Sequence, residues 1–135
     1  TFTIRLTSAP SGSSSVVLDV DSSDDSEGLI DNSTSQKLIT FTSSDWSTDQ
    51  TITVVGKNDY DSDGNQPYTI SISVNSSGDS NYLGLNPPDV QLTNTDNEYA
   101  GVRVGAPSAS VTSESGDNVT FFCIEPNVIK NRYNK

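Results

Sequence analysis

The sequence has no histidine, no methionine and a single cysteine, and each of these absences narrows what the chain can do. Without histidine it lacks the side chain that most often serves as a general base near neutral pH. With Cys123 as the one cysteine, it cannot form an internal disulfide. Hydrophobic residues make up only 31% of the chain, and no run of them approaches the length of a membrane span. We therefore predict no membrane insertion.

Basic residues are also scarce. Seven lysines and arginines stand against 18 aspartates and glutamates, for a formal net charge of -11. Lys130, Arg132 and Lys135 all lie near the carboxyl end, so the rest of the chain is more acidic still. Such a balance disfavours nucleic acid and anionic membranes as partners, and it favours cations or simply solubility.

Alternating apolar and polar residues are abundant, and this is the period of a half-buried β-strand. The pattern predicts strands at 1–6, 16–20, 37–42, 51–55, 68–74 and 89–93, with a short edge strand at 29–30. No stretch has a helical period, so we predict an all-β, Ig-like Greek-key sandwich over residues 1–99. Trp46 is expected to fill one end of the core. The other predicted core residues are Phe2, Ile4, Leu6, Val16, Leu18, Val20, Leu38, Phe41, Ile52, Val54, Ile70, Ile72, Val90 and Leu92.

An acidic loop separates the strands predicted at 51–55 and 68–74. It places Asp59, Asp61 and Asp63 at every second position and ends in the turn signal Gly64-Asn65. Closely spaced carboxylates are ligands that Ca²⁺ prefers, although a solvated acidic turn has the same composition. The motif is not an EF-hand, because strands flank it and its twelfth position is Ile70.

A second acidic cluster follows the last predicted strand. Asp96 and Glu98 belong to it, and in a sandwich they should approach the loop at 59–63 from the same end. The predicted metal ligands are therefore Asp59, Asp61, Asp63, Asp96 and Glu98, and the predicted cofactor is Ca²⁺.

The strand pattern restarts after Gly101, and Thr120-Phe121 repeats the Thr1-Phe2 pair with an implied period of about 119 residues. This spacing predicts one repeat of an array at 1–99, lacking its own first strand, and the first strands of a following repeat at 100–121. Residues 122–135 break the alternation and are predicted to be a divergent, poorly ordered tail.

Several motifs, taken in order, resemble the Calx-beta-like tandem repeats of large bacterial cell-surface proteins. They are 38–42, Trp46, 50–54, 59–65, 68–70, 81–85 and 93–97. The resemblance covers roughly residues 1–121. It implies a sandwich of about seven strands with calcium at one end, often at the junction between consecutive domains.

The resemblance also implies a ligand set. The family's acidic loop matches Asp59, Asp61 and Asp63, and its terminal acidic run matches Asp96 and Glu98, with Asn97 in place of a middle acid. The loop after the second strand offers Asp24 or Asp25. The family's first-strand glutamate matches Glu114, which belongs to the following repeat, so the set is split across a domain boundary.

The function predicted from these observations is a structural or adhesive repeat of an extracellular or cell-surface protein. Its partners would be neighbouring repeats of the same chain, with calcium stiffening the junctions. The alternative is a module that binds a glycan or a surface protein through exposed aromatics without calcium. We predict that the chain is not an enzyme, because its carboxylates cluster in loops without an apolar cleft.

Overall fold

The computed structural model describes residues 1–121 and the backbone of Cys123 and Ile124. Within this part of the chain there is no helix, and so none long and apolar enough to cross a membrane. The all-β prediction is confirmed for the described residues. The tail predicted at 122–135 lies outside them, apart from the backbone at 123–124. The strands are β1 (Phe2–Ile4), β2 (Ser15–Ser22), β3 (Gly28–Ile30), β4 (Lys37–Thr42), β5 (Gln50–Ile52), β6 (Val54–Gly56), β7 (Gln66–Ser77), β8 (Val90–Asn94), β9 (Arg103–Val104) and β10 (Cys123–Ile124).

The chain forms two compact units, Thr1–Glu98 and Tyr99–Lys135, called unit 1 and unit 2 here. Unit 1 contains a four-stranded antiparallel sheet in the order β4-β2-β7-β8 and two antiparallel pairs, β1 with β5 and β3 with β6. In unit 2, β9 pairs with β10. The described strands of the segment at 100–121 are limited to β9, and Val111 is exposed.

The central strand β2 shows why this sequence builds a sheet with one buried face. Val16, Leu18 and Val20 are almost fully buried, whereas Val17 and Asp19 between them point to the other face. This is the alternation that a strand produces, because successive side chains project to opposite sides. Phe41 of β4 and Ile70 of β7 are likewise fully buried, so the three longest strands supply much of the core.

Most of the predicted core is confirmed, and one residue is wrong. Leu38 is 53% exposed, and its neighbour Ile39 is buried instead. In the β2–β4 register Leu38 lies opposite Asp19 and Ile39 opposite Leu18, which places Leu38 on the outer face. Trp46 is half-buried and packs against the core, as do Phe2, Ile4, Val54, Val90 and Leu92. The buried hydrophobic residues of the core that the sequence pattern missed are Ile30, Ile39, Tyr68 and Tyr82.

The strand predicted at 51–55 is two strands that belong to different sheets. Residues before Thr53 pair with β1, with Ile52 opposite Phe2, and residues after it pair with β3, with Val54 opposite Ile30. The carbonyl of Thr53 accepts a hydrogen bond from the Asp31 N–H at 2.9 Å. The chain therefore changes partner strands at one residue, which a period-2 pattern does not reveal.

Two buried polar groups join the loop after β7 to the loop after β1. Asp79 accepts hydrogen bonds from the N–H groups of Ser11 at 2.8 Å and Asn81 at 3.0 Å. The Tyr82 hydroxyl donates to the Ser8 carbonyl at 2.6 Å. Hydrogen bonds from Asn81 and then Ser11 hold the pKa of Asp79 below its usual range.

We expect Asp19→Asn to stabilise unit 1 near neutral pH. Burial, and secondarily the charge of Asp21, raises the pKa of Asp19, and one carboxylate oxygen has no hydrogen-bond partner. A carboxyl whose folded pKa exceeds its unfolded value destabilises the fold when ionised. The variant should therefore have a higher Tm at about pH 7, and this gain should vanish as the pH falls through the folded pKa toward about pH 3. Thermal unfolding across that range checks it, and a gain that persists in acid would contradict this cause.

Candidate cation site at the acidic end of unit 1

The acidic loop at 57–65 and the segment that leaves β8 are bound to each other. Asp96 accepts hydrogen bonds from the Gly64 N–H at 2.8 Å and from the Glu98 N–H at 2.8 Å. The Asp96 N–H donates to the Asn65 side-chain oxygen at 3.0 Å. The bonds from Glu98 and Gly64 hold the pKa of Asp96 below its usual range, so its carboxylate stays ionised.

These two segments form the walls of a pocket of about 130 Å³. Of the five predicted metal ligands, Asp59, Asp63, Asp96 and Glu98 line this pocket. Asp61 is exposed and is not part of the lining, and its N–H donates to the Asp59 carboxylate at 2.9 Å. The structure thus places four of the five predicted carboxylates around one pocket. We call this region, with Glu27, the acidic pole.

Glu27 is the acidic residue of this pocket that was not among the predicted ligands. It is only 8% exposed, and Asn94 donates to its carboxylate at 3.1 Å. Sequence reasoning pointed instead to Asp24 or Asp25 in the same acidic run, and neither lines the pocket. One signal was available, because Glu27 lies two residues before the apolar pair at 29–30 that is predicted as an edge strand. That strand pairs with β6, which runs straight into the acidic loop.

Asn94 connects the parts of the site. Its side-chain amide donates to the carbonyl of Lys57 at 2.7 Å as well as to Glu27. The Lys57 N–H in turn donates to the Glu27 carbonyl at 2.9 Å. The buried Tyr68 lies near the Glu27 carboxylate. Burial, and secondarily the negative charge of Glu27, raises the pKa of the Tyr68 hydroxyl.

Two glycines allow β3 and β6 to pack closely against their surroundings, and one of them, Gly56, lines the pocket. Gly28 lies opposite Gly56 in the register. A Cβ atom at Gly28 would overlap the buried Tyr68 ring, and one at Gly56 would lie 2.6 Å from the Asn94 side-chain oxygen. Both contacts are far shorter than van der Waals distances. Glycine is required at position 28, where the buried Tyr68 ring blocks a Cβ, whereas at position 56 the Asn94 side chain can rotate away.

The chemistry of the donors fits a hard cation. Carboxylates, an amide oxygen and backbone carbonyls are the oxygen ligands that Ca²⁺ takes. Lys57 is the one basic side chain in the lining, facing five carboxylates. However, no three acidic residues of the described chain lie close enough together to hold a metal ion as they stand. An ion would have to draw the loop carboxylates inward and complete its shell with water.

The aromatic residues that are candidates for binding a glycan or a surface protein do not form one exposed surface in unit 1. They are Trp46, Tyr60, Tyr68, Tyr82 and Tyr99. Tyr68 and Tyr82 are buried and Trp46 is half-buried in the core, whereas Tyr60 is 70% exposed within the acidic loop. Tyr99 is 78% exposed but belongs to unit 2.

No protein-family model, curated protein or solved structure matches this chain.

Proposed function

We propose that this chain is a structural repeat of an extracellular surface protein, a Calx-beta-like Greek-key sandwich of about seven strands. Its acidic pole binds Ca²⁺, and the bound ion stiffens the junction with the next repeat. The fold proposal is supported by unit 1, where strands from separate antiparallel sheets contribute to one buried cluster. It is also supported by the sheet order β4-β2-β7-β8, in which only β7 and β8 are consecutive along the chain.

One observation carries the proposed role of calcium. The residues that leave unit 1 are themselves walls of the acidic pocket: Asn94, Asp96 and Glu98 line it, and unit 1 ends at Glu98. An ion held there contacts the very segment that would otherwise act as a hinge to the following residues. Fixing that segment removes the freedom that a flexible linker keeps.

Electrostatics gives the ion its stabilising effect. Glu27 is a buried carboxylate with one neutral hydrogen-bond donor, and four further carboxylates surround the same pocket. A divalent cation offsets their mutual repulsion and binds the folded state in preference to the unfolded chain. The carboxylates do not converge without an ion, so we expect an affinity on the order of 10⁻⁴–10⁻³ M, as in extracellular modules.

Thermal unfolding with Ca²⁺ against EDTA at constant ionic strength tests the site. With Ca²⁺ at about ten times its Kd, the folded state gains about 1.4 kcal/mol. For a unit of this size that corresponds to a rise in Tm of roughly 5–10 °C. Mg²⁺ should give a smaller shift, because it demands tighter octahedral geometry and keeps its waters. Equal shifts from the two ions would contradict a calcium site.

Matched variants locate the ion. Glu27→Gln and Asp96→Asn should remove most of the Ca²⁺ shift, whereas Asp24→Asn should leave it intact, because Asp24 is exposed and does not line the pocket. Asp61→Asn should reduce the Ca²⁺ shift only if the loop closes far enough to bring Asp61 to the ion. Hydrogen exchange should show that Ca²⁺ slows the amides of residues 94–98. If the Tm rises without this protection, calcium binds but does not act on the junction.

A further inference from the structure

An open groove in unit 1 separates the free edges of β1 and β8. In the described part of the chain β1 pairs only with β5, and β8 only with β7. The groove has a volume of about 530 Å³, and its walls include Phe2, Ile4, Pro88 and Val90. Phe2, Ile4 and Val90 also pack against the core, so the floor of the groove is an apolar continuation of it.

The two edges of this groove differ in what they can bind. An unpaired strand edge presents N–H and C=O groups that another strand can pair with. On the β8 side the wall includes Pro87 and Pro88, which have no N–H to donate. An added strand would therefore form its hydrogen bonds with β1 and pack its side chains against the prolines and Val90, which is the β-augmentation mode of recognition.

We propose that this groove binds residues 101–106 of a second copy of this chain, the stretch before Pro107, as an added β-strand. Within that segment Val102 and Val104 flank Arg103, and the two valines are 86% and 60% exposed. Their side chains alternate with Arg103, as an edge-docking strand requires. Residues 103–104 already form a strand, although a very short one, so moving it to a new partner disrupts few hydrogen bonds.

Charge complementarity supports this occupant. Unit 1 carries fifteen acidic and three basic side chains, so two copies of it repel each other. The segment 99–113 contains Arg103 as its one charged residue and is therefore positive. The groove is lined by both Asp49 and Arg5, which lie 3.7 Å apart. The Asp49 side chain is 54% exposed, so it can contact a second cation.

The two copies would associate head to tail, because the donor segment and the acceptor groove are different surfaces of the chain. The segment after β8 is held at the acidic pole by the bonds between Asp96 and the loop at 64–65, whereas the groove is lined by β1, the residues before β8 and Val90. Each copy then offers one donor segment and one acceptor groove, an arrangement that extends into open chains. The inference shares the repeat arrangement of the proposed function but does not use calcium, so the two can fail separately.

Sedimentation equilibrium of the full chain in EDTA tests the proposal. We expect concentration-dependent self-association of the native chain. Val104→Asp in the donor and Pro88→Asp in the acceptor should each weaken it at least about tenfold. Leu83→Asp should not, because Leu83 is 58% exposed but does not line the groove. All three side chains are exposed, so an unchanged Tm is expected for each variant.

Mixing the variants gives the decisive result. The Val104→Asp chain keeps an intact groove and the Pro88→Asp chain keeps an intact donor, so an equimolar mixture should form a one-to-one dimer although neither variant associates alone. Three results would overturn the proposal. They are a native chain that stays monomeric at every concentration, a mixture that fails to associate, and a loss of association in Leu83→Asp equal to that in Val104→Asp.

Discussion

Replacing Phe41 with alanine is expected to lower the free energy of unfolding by about 3–5 kcal/mol, the range found when a buried phenylalanine is truncated. Phe41 is fully buried, and it lies opposite Val16, which is also fully buried. The cost combines the lost transfer energy of the ring with the cavity left in the core. Because the stability of small domains is only about 5–15 kcal/mol, this loss should be visible as a large decrease in the denaturant midpoint.

Leu38→Ala is the matched control on the same strand. Leu38 is three residues before Phe41 and is 53% exposed, so its truncation should change the free energy of unfolding by less than about 0.5 kcal/mol. Urea unfolding of both variants measures the difference. A Leu38 variant as unstable as the Phe41 variant would mean that the outer face of the β4-β2-β7-β8 sheet is covered in solution.

Gly28→Ala is expected to destabilise unit 1 by about 1–3 kcal/mol through overpacking. The new methyl group would overlap the Tyr68 ring, and that ring is 7% exposed, so it has little room to move. The same displacement would disturb the neighbouring Glu27, so the variant should also lose part of the Ca²⁺ shift. Thermal unfolding with and without Ca²⁺ gives both readouts.

Alanine substitutions at two other glycines serve as controls for Gly28→Ala. Gly101→Ala places its Cβ 3.9 Å from the nearest atom and should be tolerated. Gly56→Ala meets the side-chain oxygen of Asn94, which can rotate away, so its effect on stability should be smaller than that of Gly28→Ala. Its effect on calcium binding should remain, because Asn94 also holds Glu27. If Gly28→Ala is tolerated as well as Gly101→Ala, the close packing of Tyr68 against β3 is wrong.

The strands that alternate strictly could be predicted from the sequence. Burial of Val16, Leu18 and Val20 follows from period 2 alone, since apolar residues occupy every second position of β2 from 16 to 20. The same rule fails in β4, where Leu38 and Ile39 are adjacent and either could point inward. The register with β2 decides between them, and register is a property of the paired strands.

The acidic pole was predictable only in part. Regular spacing identified the loop at 59–63, and strand order brought Asp96 to it. Glu27 comes from a different sheet, and its place depends on the break at Thr53 that lets β6 pair with β3.

The burial of Tyr82 was not predictable either. Tyr82 resembles an ordinary loop residue in the sequence, and only its bond to Ser8 explains its burial. Contacts between residues far apart in sequence carry no local signal.

The break at Thr53 also determines how unit 1 bears mechanical tension. A force applied to its two ends loads β1 and β8, which share no hydrogen bonds because they belong to different sheets. The β1–β5 pair has three registered residues and the β7–β8 pair has five, so the first pair should yield at the lower force. Extension would then stop at Leu6, which is buried and donates its N–H to Trp46. A pulled unit would lengthen by a short, reversible step while the core around Phe41 stays folded.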